Sequence, residues 1–82
     1  MSNIKIKNNI RRLRFESDEM TQQLLADRAG CTRQTIVALE AGKYNPSLSL
    51  AYLIAKALGT TIDKVFEFEA DEIDPRLLDI LS

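Results

Sequence analysis

Histidine and tryptophan are absent from this chain, and cysteine occurs once, as Cys31. A lone cysteine rules out a disulfide within the chain, and with no histidine beside it too few ligands remain for a structural zinc site. The commonest general base of enzyme catalysis is missing as well. Serine with lysine, or a pair of carboxylates, are the catalytic combinations still open, but there is no glycine-rich phosphate loop and no nucleophile elbow. The expectation is therefore no enzyme, no metal and no cofactor. Long apolar runs are lacking too. No stretch approaches the roughly 20 residues of a membrane span, and Met1 to Ile10 has no signal-peptide core, so a cytoplasmic location is expected. Glycine and proline are scarce, three and two, and each falls at a helix boundary below.

What is present is an 82-residue chain with 45% hydrophobic and 28% charged residues, the balance of an ordinary globular domain. That length suffices for one core but lies near the size at which burial barely offsets chain entropy, so help from a partner subunit is expected. The formal net charge of −1 hides a polarity. Met1 to Lys43 carries eight basic against five acidic side chains, net +3, whereas Tyr44 to Ser82 carries three against seven, net −4. Opposite signs in the two halves suit a chain with one anion-facing end.

Hydrophobic spacing predicts five helical segments and no strand before Phe66. Asn8 to Phe15 sets Ile10 and Leu13 on one face, with Ile6 a turn earlier and Arg11, Arg12 and Arg14 on the polar side. Thr21 caps "QQLLADRA", where Leu24, Leu25 and Ala29 form the apolar stripe and Gly30 ends the helix. Thr32 begins the next, with Ile36, Leu39 and Val37 turned inward. Gly42 ends it, and "KYNP" is a turn after which a helix starts near Ser47. "SLSLAYLIAKALG" is apolar nearly all round, so part of it is expected to face another chain. Gly59 stops it, and Thr60 or Thr61 caps "IDKVF", with Asp63 well placed in the first turn. "FEFE", Phe66 to Glu69, reads as a short edge strand or as the frayed end of the fifth helix. After "ADEID", Asp74 and Pro75 suit the start of a last short helix with Leu77, Leu78 and Leu81 on one face. The expected division is residues 1–69 as the domain and residues 70–82 as an acidic, leucine-containing tail.

Within Gln22 to Ala41, Leu25, Ala29, Cys31, Ile36 and Leu39 are apolar where two steeply crossing helices must touch. Ala26 is small where the crossing is tightest, and Gly30 stands where the turn needs a left-handed backbone. Cys31 fits that set as a small core side chain. All these positions filled together make the pattern of a helix-turn-helix. "MTQQLLADRAG", "TRQTIVALEAGKYNPSLSLA" and "IAKALGTTIDKVF" each resemble signatures of the Xre or phage-repressor (Cro/cI-type) family, and the likeness runs from about Asn8 to Phe66. Two departures stand out: "RFESDEM" is one residue longer than the commonest spacing, and Cys31 replaces the more usual Val.

The resemblance implies an all-α, five-helix bundle, a lambda-repressor-like DNA-binding domain with a short C-terminal extension, in which Thr32 to Ala41 is the recognition helix. It implies that Thr32, Arg33, Gln34 and Ala38 face bases in the major groove. Arg33 suits a bidentate bond to guanine and Gln34 one to adenine, while Thr32 and Thr35 suit a phosphate or a thymine methyl. Gln22, Thr35, Lys43, Tyr44 and Asn45 match phosphate-contacting positions. Glu40 matches the acidic residue that pairs with an arginine of the first helix in a structural ion pair, Arg14 being the favoured mate and Arg11 the alternative that the extra residue leaves open. The implied function is a sequence-specific transcriptional regulator, a repressor by preference, bound as a homodimer to a near-palindromic duplex. An alternative is an antitoxin-like interaction module that neutralises a protein partner through residues 70–82 and uses DNA binding for autoregulation.

Overall fold

The computed structural model describes residues 4–70. Its elements run β1 (Ile4–Asn8), α1 (Ile10–Glu16), α2 (Gln22–Ala29), α3 (Arg33–Glu40), α4 (Leu48–Ala57), α5 (Ile62–Val65) and β2 (Phe66–Ala70). The predominantly helical architecture is the expected one, with all five helices present. A two-stranded antiparallel ribbon is added to it, setting Ile6 opposite Phe68 and Lys7 opposite Glu67. The expectation of no strand before Phe66 is corrected by β1, and the "FEFE" ambiguity resolves as strand. A ribbon this short is marginal by itself, and it forms because β1 finds β2 and packs Ile6 and Phe66 on the core. The expected helix around Pro75 and the contacts of the tail lie outside the described residues.

The ribbon moves the start of α1 from Asn8 to Ile10 and turns two asparagines into clamps. Asn8 Nδ2 donates to the Leu39 carbonyl at 2.7 Å, and its Oδ1 accepts from the Ile10 amide at 3.2 Å. The first bond gives the Leu39 carbonyl, which also accepts from the Gly42 amide, a second donor and so ties the end of β1 to the C-terminus of α3. Asn9 donates through its backbone to the Val65 carbonyl at 2.7 Å and through Nδ2 to the Lys64 carbonyl at 3.1 Å, locking α1 to α5.

Three helix starts carry the side-chain caps that their sequences predict. Thr21, Thr32 and Ser47 each stand in extended backbone and accept from the amide three residues on, those of Leu24, Thr35 and Leu50. Gly30 closes α2 at φ +74°, a left-handed turn that leads directly into Thr32. The longer α1–α2 connection is taken up by Asp18 and Glu19, both left-handed at φ 56° and 55°. Ile10, Leu25, Ala26, Ile36, Leu39, Ile54 and Val65 form the centre of the core. Two positions differ from the expected stripes. Leu24 and Val37 face solvent, with 38% and 41% of their surface exposed, while Ala26 takes the buried place on α2. Cys31 packs half-buried against the core, and burial pushes its thiol above the ordinary cysteine value.

Candidate nucleic-acid interface

The start of α3 presents its first turn to solvent. Thr32 is the N-cap, and its hydroxyl is engaged, accepting from the Thr35 amide at 3.2 Å and lying 2.9 Å from the Thr35 hydroxyl. Thr32 therefore shapes the helix start, and Arg33 and Gln34, which follow it, are exposed. Ala38, one turn beyond Gln34, is half-buried, and Val37 is exposed between them. The exposed face thus carries an apolar side chain that hydrophobic patterning had turned inward. Its signal was present in the sequence: Ile36 and Leu39 already satisfy the inward stripe, and Val37 sits 100° off it.

Behind this face stands a nearly buried ion pair. Arg14 Nε donates to Glu40 Oε2 at 2.8 Å and Arg14 Nη2 to Oε1 at 3.0 Å, both side chains being 11% exposed. The remaining Nη1 donates to the Met20 carbonyl at 2.8 Å. Arg14, not Arg11, is thus the partner of Glu40, and unlike its neighbours Arg11 and Arg12 it turns inward. The bidentate geometry fixes α3 against α1 and against the connection that precedes α2. Gln22, first residue of α2, is drawn into the same group, its Nε2 lying 3.4 Å from Glu40 Oε1.

Gln22 and Arg33 share an open surface cleft of about 480 Å³ with Arg11, Arg14, Phe15 and Glu40. Thr21 and Gln23 complete its lining. Lys43, Tyr44 and Asn45 are exposed in the loop after α3. That loop leaves the helix through Gly42 and Lys43, whose amides donate to the carbonyls of Leu39 and Ala38, both at 3.0 Å. Among the described residues no group of histidine, cysteine and carboxylate side chains is arranged to hold a metal, and no helix is long and apolar enough to cross a membrane.

A helix pair joined by a tight left-handed turn at Gly30, with a polar first turn on its second member, is the arrangement by which a duplex groove is read. The family model for helix-turn-helix domains matches residues 10–65, covering α1 through α5. The chain belongs to the Xre-type helix-turn-helix family. Such a regulator binds DNA and acts on transcription. The chain is 54% identical over 54 residues to an uncharacterized HTH-type transcriptional regulator of Archaeoglobus fulgidus, covering 66% of this chain and 76% of that one. An uncharacterized HTH-type transcriptional regulator of Methanocaldococcus jannaschii is 53% identical over 53 residues, covering 65% and 80%. The Bacillus subtilis HTH-type regulator YgzD is 39% identical over 66 residues, covering 80% of this chain and 98% of its own. Among solved structures, the hypothetical transcription factor NHTF from Neisseria superposes with a TM-score of 0.64 at 26% identity, covering 90% of this chain and 77% of that one. The family is one of DNA-binding regulators and not an enzyme class.

Proposed function

We propose that this helix-turn-helix regulator is a repressor that binds a near-palindromic operator as a homodimer in the cytoplasm, with α3 in the major groove. The exposure of Arg33 and Gln34 on the first turn of α3, braced from behind by Arg14 and Glu40, carries the reading. Arg33 takes a guanine edge, Gln34 an adenine, and Val37 with Ala38 the methyl of a thymine. Thr32 sets their height through its cap, and Gln22, Thr35, Lys43, Tyr44 and Asn45 hold backbone phosphates that fix the register. Occupying promoter DNA is sufficient for repression and demands no further domain.

The second copy is supported by apolar surface. Leu48 is 78% exposed, Phe68 68% and Tyr52 54%. Leu48 and Phe68 flank an apolar groove of about 230 Å³ with Ile6, Pro46, Ala51, Ile62 and Phe66. A monomer with this patch exposed is poorly suited to water, and a two-fold contact between copies covers it on both. Half-sites would then lie about one helical turn apart. Selection from a random duplex library is the direct test. The expected product is an enriched sequence with two-fold symmetry. Failure to enrich any sequence refutes base-specific binding, and enrichment of a single asymmetric site refutes the symmetric dimer on DNA.

A further inference from the structure

An exposed phenylalanine lies in the cleft that opens onto Arg33. Phe15 is 55% exposed, and the guanidinium carbons of Arg11 and Arg14 lie each 5.9 Å from its ring centroid. The two arginines differ in what else holds them. Arg14 is held at all three of its nitrogens by Glu40 and Met20, whereas Arg11 makes no ion pair among the described residues. Arg33, across the cleft, makes none either. Glu40 is the single carboxylate of the lining, and its charge is already matched by Arg14. The cleft therefore holds two uncompensated positive charges beside the polar side chains of Thr21 and Gln23. Such a surface attracts an anion with several acceptor oxygens.

We infer that Arg11, steadied by the Phe15 ring, grips one phosphate of the DNA backbone in this cleft, next to the base pair met by Arg33. The inference rests on the DNA-binding reading above and adds a contact from α1 to those assigned to α2, α3 and the following loop. A long side chain loses rotamer freedom when it binds, and a ring that already confines Arg11 lowers that cost. Phe15 is thus a positioning residue, acting through Arg11. Arg12 serves as the internal comparison, being equally basic but 3.5 Å from Glu16 and absent from this cleft.

The test uses the full chain and a duplex that the parent binds, with one uncharged methylphosphonate introduced at each backbone position in turn. Neutralising one phosphate per half-site should weaken the parent and leave Arg11→Gln unaffected at that position. The slope of log affinity against log salt should become shallower by about 0.9 per protomer in Arg11→Gln and stay unchanged in Arg12→Gln. Phe15→Leu should weaken binding, Phe15→Tyr should restore it, and Phe15→Leu should add nothing in an Arg11→Gln background. Thermal melting of each variant checks that the fold is intact. Arg11→Gln retaining the parent's sensitivity at every phosphate would overturn the inference. A changed base preference in that variant would overturn it too, making Arg11 a base reader. A parent that binds no duplex removes the DNA reading itself, an outcome distinct from either.

Discussion

Arg33 and Lys43 are assigned to different parts of the binding energy, and single substitutions should separate them. Arg33→Ala should cost about 1–3 kcal/mol on the cognate duplex and relax preference at one base pair. Lys43→Ala should instead weaken all sequences alike and reduce the salt slope by about one, so titrations on cognate and scrambled duplexes at several salt concentrations distinguish the two. Arg14 acts on the fold. Removing it as Arg14→Met leaves the Glu40 carboxylate, 11% exposed, without its charge partner. A loss of about 3 kcal/mol in urea unfolding is expected, and much of it should return when Glu40→Leu is added. A double variant as unstable as the single one would show that packing, rather than the stranded charge, sets the cost. The sequence favours Arg14 as the partner of Glu40 but leaves Arg11 open, because the extra residue before α2 shifts the apparent alignment of α1. Asp18 and Glu19 absorb it in left-handed backbone.

At the scale of elements, that left-handed pair makes the α1–α2 connection costly. An L residue in this conformation is disfavoured by about 1–2 kcal/mol, most of which glycine avoids at some loss of entropy. Glu19→Gly should therefore raise stability by about 0.5–1 kcal/mol, measured by chemical denaturation, and a loss instead would mean the turn is not strained. In α5, Asp63 lies in the first turn. The Thr61 hydroxyl holds the Asp63 carboxyl below its ordinary value, helped by the aspartate's own amide, opposed by desolvation and helped least by Lys64. A carboxyl depressed in the folded state stabilises the fold above the unfolded carboxylate range, and that contribution is lost as pH falls through the folded-state value. Asp63→Asn should thus melt below the parent near neutral pH, with the gap closing as pH falls below about 4. A gap that persists in acid would assign the effect to the amide, not the charge. The helices were legible because capping and glycine stops are local: Thr21, Thr32 and Ser47 act on amides three residues away. β1 was not, since the strand it pairs with lies some sixty residues on.

At the scale of the molecule, the proposed contact between two copies turns on the exposed apolar patch around Leu48. Leu48→Lys places a charge on a side chain that is 78% exposed, so the monomer should tolerate it while the proposed contact does not. Sedimentation should then show a shift to monomer, and affinity for a full palindrome should fall towards that for a half-site. An unchanged sedimentation coefficient would move the interface elsewhere. The polarity of charge, the helix order and the exposure of Arg33 and Gln34 follow from residue order, because each depends on spacing within one or two turns. The exclusion of Arg11 as the partner of Glu40, the outward turn of Val37 and Leu24, and the Arg11–Phe15 pairing required the folded chain. They depend on which faces meet once α1, α2 and α3 pack around Ile10, Leu25 and Ile36, and no local pattern encodes a contact between side chains 26 residues apart, as Arg14 and Glu40 are.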